Sequence, residues 1–262
     1  MAVPQNTLYD NFVIENRVKD ILETALDSIQ FMKVDTDLVE NAGMVKYINT
    51  YAYEGAVESV AEGEGNTTRG KVTFTEEEYR VKVKQQVFDY TDEQLMKDPL
   101  VREVGARGMA STMINDMNDD YFTEIAKTTT VLTDTKFNYD TIVDAIEKLQ
   151  VEDEKGLFCL IGLDLKTAIR KDEDFKASRL GEILYSGQIG DISGVPVIVS
   201  KKVPENTCYV AFKDAVTLFT KQDIELKEVR KEEERINTDI SRRVCIVALT
   251  DSTKAVKVTV TP

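Results

Sequence analysis

The residues best placed to do covalent chemistry are a lysine, an asparagine and a run of carboxylates, far apart in the chain. Lys71 ends a polar, Gly-rich segment, and Asn237 follows the glutamate-rich run Lys231-Glu232-Glu233-Glu234-Arg235. A lysine amine can attack the side-chain carbonyl of an asparagine on another subunit while a nearby carboxylate takes the proton, giving an isopeptide bond. Attack requires the uncharged amine, hence a desolvated lysine of lowered pKa. Sequence spacing does not establish that environment. Lys71 and Asn237 therefore stand as crosslink candidates, and Lys71 reads by default as an ordinary surface lysine.

Other motifs fall short of their chemistry. Gly65-Asn66-Thr67-Thr68-Arg69-Gly70-Lys71 matches most of a phosphate-binding loop, but Val72 stands where the Mg²⁺-binding hydroxyl belongs. The strand-like Lys71-Val72-Thr73-Phe74 follows it where that loop needs a helix N-terminus. Asp116-Met117-Asn118-Asp119-Asp120 resembles the opening of a calcium loop, but Tyr121 occupies the position that requires Gly, so it reads as a polar helix face. Cys159, Cys208 and Cys245 lie in the apolar runs LFCLIG, TCYVAF and RVCIVAL and are expected as three reduced, buried thiols, without the spacing of a metal or redox site. The acidic Asp172-Glu173-Asp174 reads as a solvated loop. No cofactor, metal or catalytic residue is expected.

Composition narrows the field further. The 262 residues include 33 Lys+Arg, 47 Asp+Glu and no His, a net charge of −14. Without histidine there is no Ser-His-Asp or Cys-His catalysis, no histidine-bound zinc and no histidine pH switch. The acidic balance opposes tight binding to phosphate backbones, which depends on Lys and Arg. The N-terminus MAVPQNTLYDN lacks a basic region followed by an apolar stretch, and no run reaches the ~18 apolar residues of a membrane span, so neither signal peptide nor membrane partner is expected.

The elements that must position these residues follow from periodicity. Ile14, Val18, Ile21, Ala25, Ile29 and Met32 mark an amphipathic helix from Asn11 to Lys33, following a loose arm. Residues 44–90 read as one long β-hairpin, with the acidic stretch Glu54, Glu58, Glu62 on one arm. The other arm alternates strictly over Tyr79–Lys84 and presents Arg80, Lys82 and Lys84, so opposite charges are expected across the strands. Gly63 to Gly70 would be the mobile tip. Asp98-Pro99 opens a helix to about Lys127, with Met109, Met113, Met117, Tyr121 and Ile125 on its buried stripe. Further on, Asn138 caps a helix through Gln150 that buries Ile142, Val143, Ile146 and Leu149. Residues 156–162 are a buried strand, a short helix runs from Asp164 to Ile169, and two strands turn at Ser193-Gly194. Strands are also expected at 208–212, 216–220, 224–229, 244–249 and 255–260. The class is α+β.

This order resembles the major capsid proteins of tailed bacteriophages, the Hong Kong 97-type fold. VAEGEG (residues 60–65) and KVTFTEEEYRVKVKQQVFDYTDEQLMKDP (71–99) resemble that family's extended loop running into its spine helix. QIGDISGVPVIVSKKVP followed by CYVAFKDAVTLF resembles its apical-domain strands, and RINTDISRRVCIVALTDSTKAVKVTV the return strands of its peripheral domain. The resemblance implies an N-terminal arm (1–43), an extended loop (44–90), a peripheral part with the spine helix (91–137), an apical domain (138–221) and return strands (222–262). It implies a virion protein, assembled in the host bacterial cytoplasm into hexamers and pentamers that enclose double-stranded DNA. A portal and a separate scaffolding protein are the expected partners. Subunit contact would fall on Glu62, Gly63, Glu64, Gly65, Asn66, Arg69 and Lys71 at the loop tip and on Arg80, Lys82 and Lys84 of the basic arm. Two other readings stay open here. One is an encapsulin-like shell around a protein cargo; the other is a soluble enzyme that works through carboxylates or a lysine.

Overall fold

The computed structural model describes residues 28–172 and 190–261. Most of the expected N-terminal helix lies outside these residues. Its last part differs from expectation: Ser28–Phe31 form a 3-10 turn and the chain then enters a strand, β1 (Lys33–Asp35). A short helix α1 (Asp37–Glu40) leads to β2 (Val45–Glu54) and β3 (Lys71–Arg80), which form a two-stranded antiparallel ribbon. One residue, Val81, separates β3 from β4 (Lys82–Thr91). Helices α2 (Asp92–Lys97) and α3 (Leu100–Ile125) follow, then β5 (Thr130–Asp134), α4 (Tyr139–Leu149), β6 (Leu157–Ile161) and α5 (Leu163–Lys171). The remainder is strand-rich: β7 (Asp191–Ile192), β8 (Val195–Val199), β9 (Thr207–Phe212), β10 (Val216–Lys231), β11 (Ile236–Leu249) and β12 (Ala255–Val260).

Two larger sheets result. One has six strands in the order β5-β12-β9-β6-β8-β7, and the other four in the order β1-β10-β11-β4. The six-stranded sheet is covered on both faces, which is why its central strands read as unbroken apolar runs. In β6, Leu157, Cys159 and Ile161 face the core beneath α4 and α5, while Phe158 and Leu160 face a second core that includes Tyr121 and Ile125 of α3. β9 divides the same way, with Cys208 and Val210 on one side and Tyr209 and Ala211 on the other. Strands at both ends of the chain segment join this sheet, since β5 and β12 pair in parallel.

Helix α3 ties the sheets together. At 1.5 Å per residue its 26 residues span about 39 Å. The expected stripe holds, with Met109, Met113, Met117, Tyr121 and Ile125 all buried. At Gly105 a β-carbon would lie 2.3 Å from the Phe88 ring, so glycine there lets β4 approach the helix closely.

Local signals account for the element ends. Thr91 and Gln94 form a reciprocal capping box at the start of α2, and Asn138 with Thr141 does so for α4. Ser193 and Gly194 both have positive φ (52° and 80°), the backbone of a two-residue turn that matches strand twist. Three expectations need correction. Val143 is 36% exposed, because it lies at the edge of the buried α4 face. Residues 216–220 and 224–229 are one strand, β10, whose register shifts between Thr220 and Glu225. The strand expected at 244–249 begins eight residues earlier, as β11, because its distal half pairs with β10 and β4 instead of entering an apolar core.

Burial sets the scale of sequence sensitivity. Leu160→Ala, at a fully buried position between helix and sheet, is expected to lose about 2–5 kcal/mol. Val57→Ala, at a fully exposed one, should change stability by less than about 0.5 kcal/mol. Urea unfolding of the two variants measures both.

Candidate assembly surfaces

The ribbon projects from a knot of side chains at its base. Phe219 of β10, 1% exposed, stacks on Tyr79 with ring centroids 4.9 Å apart, and the Lys46 ammonium lies 5.5 Å from its centroid. Lys46 also pairs with Asp35 and with Asp37, and Leu38, Val81, Val244 and Ala248 complete the cluster. Lys221 donates to the Leu38 carbonyl, at 3.0 Å, and to that of Asn41, which fixes α1 over β10. Burial works against the charge on Lys46, but the hydrogen bonds it donates to both aspartates outweigh it and raise its pKa. That contribution is complete below the ordinary lysine pKa and is lost only as pH rises through the higher folded value.

Beyond the base, no further strand among the described residues joins the ribbon. Register pairs Tyr47 with Glu78, Tyr51 with Phe74 and Tyr53 with Val72, and opposite residues share a face. These five apolar side chains are 57–72% exposed, and the Tyr51 and Phe74 rings meet at 6.4 Å. The other face carries the small Thr50, Ala52, Thr73 and Thr75 at mid-length, with Ile48 and Glu77 nearer the root and Glu54 and Lys71 at the far end. One side of the ribbon is thus aromatic and the other is not.

The connection, residues 55–70, contains no strand. Glu58 organises it. Its carboxylate accepts from the backbone N–H groups of Thr67 (2.9 Å) and Thr68 (3.0 Å) and from the Thr67 hydroxyl (2.7 Å). These bonds hold the Glu58 carboxyl below the usual range, with the Thr67 hydroxyl the largest cause. Tyr53 lies where β-carbons on Gly55 and Gly70 would collide with its ring at 2.2–2.7 Å, so both glycines are needed to seat that side chain.

The expected pairing of an acidic arm against a basic arm is not found. Glu54 is opposite Lys71, whereas Glu58 and Glu62 fall in the connection. Arg80 ends β3 opposite Val45, but Lys82 and Lys84 belong to β4 and face β11. The chain turns at Val81, whose N–H donates to Met44, and a turn of one residue leaves the period-two pattern intact. Lys84 is engaged inside the chain by Asp116 and Asp120 of α3. The residues that resembled a calcium loop are therefore helix-to-sheet anchors, and Asp119 pairs with Lys202 at 2.6 Å. Lys71 sits exposed at the far end of the ribbon. Asn237 is 5% exposed in β11, and its Nδ2 donates to Asp92 at 2.8 Å. Glu62, Gly63, Glu64, Gly65, Asn66 and Arg69 are exposed in the connection.

The aromatic face was not read from the sequence, although the signal is present in YINTYAY, where Tyr47, Tyr51 and Tyr53 keep even spacing. All three cysteines are free and buried, with the Cys159 and Cys208 sulfurs 3.4 Å apart. Among the described residues no group of three or more His, Cys, Asp or Glu could hold a metal ion, and no helix is long and apolar enough to cross a membrane. The acidic Asp239 is 2% exposed beneath α3 and its pKa is raised by desolvation, against the pull of Arg102.

A projecting ribbon, a long helix bridging two sheets, and a six-stranded α+β body with sheet-return strands define the Hong Kong 97-type shell-subunit fold. A solved capsid of cyanophage P-SCSP1u superposes with a TM-score of 0.75 at 11% identity, covering 88% of this chain and 86% of that one. A structure from Mycobacterium phage Che8 does so with a TM-score of 0.68 at 15% identity, covering 86% and 88%. In sequence, the major capsid protein of Staphylococcus phage phiMR11 is 28% identical over 247 residues, 91% of this chain and 88% of that protein. Residues 75–258 match the family model for phage capsid proteins, and the chain belongs to that family.

The Glu58 clamp makes a specific prediction. Glu58→Gln keeps the shape but loses acceptor strength, so amide exchange at residues 65–69 should speed up at neutral pH while the body is unaffected. In the parent chain the protection of the same amides, taken relative to their intrinsic exchange rate at each pH, should fall as pH drops through the lowered Glu58 pKa, since the carboxylate's contribution is present above its unfolded value and lost below the folded one. Hydrogen-exchange mass spectrometry of the two chains reads both effects.

Proposed function

We propose that this capsid protein builds an icosahedral shell from hexamers and pentamers, in which the ribbon of each copy lies on a neighbouring copy by its aromatic face. The observation that carries this reading is the exposure of Tyr47, Tyr51, Tyr53, Val72 and Phe74 on one side of an isolated two-stranded ribbon. Such a ribbon is at best marginally stable in water and gains stability by burying a face on another surface. The tip residues Glu62, Gly63, Glu64, Gly65, Asn66, Arg69 and Lys71 are assigned to the same contact, with Arg80 and Lys82 at its base. Lys84 is spent within the subunit. Residues 1–43 serve as the N-terminal arm, 44–90 as the extended loop, 91–137 as the peripheral part with α3 as its spine, 138–221 as the apical domain and 222–262 as the return strands.

The enclosed molecule is double-stranded DNA, loaded through a portal after assembly in the bacterial cytoplasm on a separate scaffolding protein. A net charge of −14 suits a wall that must hold DNA without adhering to it. Electron microscopy of particles isolated from cells that produce the whole phage, with nuclease protection of the contents, tests the reading. Closed particles with protected DNA are expected, and particles filled with protein cargo would overturn the assignment of contents.

Two further outcomes are expected. Deleting Gly63 to Gly70 should leave the urea-unfolding midpoint of the body unchanged and abolish closed shells. For the crosslink candidates, Asn237 is buried with its amide already bonded to Asp92. Mass spectrometry of denatured particles should accordingly show chains of monomer mass, and masses of covalent multiples would revive an isopeptide bond between Lys71 and Asn237.

A further inference from the structure

The outer edge of β10 offers a contact of a different kind. β1 pairs with β10 only at Thr217–Phe219. From Ile224 to Lys231, β10 has β11 on one side and, among the described residues, no strand on the other. Open edges are usually blunted by shortness, bulges, proline or charged side chains, and this segment has one bulge and charges of both signs. This one is continuous past its bulge and carries exposed apolar side chains: Ile224 at 48%, Leu226 at 58% and Val229 at 46%.

Symmetry limits how such an edge can meet a second copy. When two identical strands pair antiparallel about a two-fold axis, opposite side chains share a face, so one residue must lie opposite its own copy. Centring on Glu225, Lys227 or Glu228 sets like charges face to face. Centring on Val229 sets Lys227 against Lys231 and draws on Glu228 and Arg230, which are already held by Arg102 (2.7 Å) and Asp92 (3.1 Å). Centring on Leu226 sets leucine on leucine and Glu225 opposite Lys227 on both sides of the axis. Glu225 and Lys227 already lie 3.0 Å apart in one chain, so two copies form an alternating quartet of charges on one face with the two leucines on the other. The bulge between Gln222 and Glu225 leaves the regular strand starting at Glu225, so Glu225–Lys227 form the core of the symmetric ladder.

We propose that the β10 edges of two copies pair antiparallel across a two-fold axis at Leu226, joining their four-stranded sheets into one sheet of eight strands. The inference rests on the shell reading for the presence of such axes. It predicts an isologous contact, distinct from the one-way contact of the ribbon.

Cysteine placement tests it. In particles of Leu226→Cys the two thiols should lie opposite each other, with α-carbons about 4.5–5.5 Å apart, within disulfide reach. Mild oxidation with a copper–phenanthroline catalyst and dissolved oxygen as electron acceptor should convert most chains to disulfide dimers on a non-reducing gel. Glu225→Cys alone should stay monomeric, as should the parent chain, whose three cysteines are buried. Particles co-assembled from Glu225→Cys and Lys227→Cys chains should give a mixed dimer that neither gives alone, which decides the matter if Leu226→Cys does not fold. A monomeric Leu226→Cys in intact particles, or equal dimer from Glu225→Cys alone, overturns the edge pairing and leaves the shell reading standing. Absence of particles from the parent chain strikes at the shell reading instead.

Discussion

Phe219 holds the molecule's most exposed part to its most buried. It sits at the point where β10 leaves the core, with the Tyr79 ring on it and the Lys46 ammonium over it, and those residues come from both strands of the ribbon. A two-stranded ribbon supplies no core of its own, so its direction is set by whatever grips its root. Here the grip combines stacking, a cation over a ring, and the Lys46 pairs with Asp35 and Asp37. Removing Phe219 would leave those groups without the surface that aligns them.

Behind that root, α3 makes two sheets behave as one body. Its C-terminal half packs into an apolar core through Tyr121, Phe122 and Ile125. Its other contacts are more polar: Lys84 spans to Asp116 and Asp120, and Arg243 donates to the Met117 sulfur at 2.9 Å. Methionine at three successive turns suits this mixed environment, because the flexible thioether adapts to neighbours that are partly charged. The layer beneath the helix also holds Asn237, Asp239 and Ser241, all nearly inaccessible. The C-terminal half of the helix is thus seated both by apolar packing and by charged pairs to the sheet.

Much of this was legible in the sequence because the signals are local or strictly periodic. Asn138, Pro99 and Ser193-Gly194 mark ends whose geometry needs those residues, and LFCLI reads as a strand covered on both faces. Legibility failed where local pattern and long-range pairing part company. Tyr79 to Lys84 alternates without a break, yet the chain changes sheets at Val81. β10 reads as two strands because its first half is buried and its second half is solvated, with register shifts between Thr220 and Glu225 where the halves meet. Its partner β11 reads short for the same reason. The assembly surface was half legible: the tip was identified from glycine and polar content, but the aromatic face depends on which residues of β2 and β3 end up side by side. Charges suggested one pairing, and the register that formed, Glu54 against Lys71, produced another.

The single residue between β3 and β4 also has a mechanical meaning. Ten residues of strand reach about 34 Å, so a tilt of about 10° at Val81 carries the far end of the ribbon by about 6 Å. Val81 is held by its N–H bond to Met44 and by burial at 3% exposure, whereas further out the ribbon, among the described residues, has only its own two strands and connection. The arrangement is a short, stiff root with a long arm. Any small change of angle at that root is magnified at the far end of the arm, while the side chains of the body stay in place.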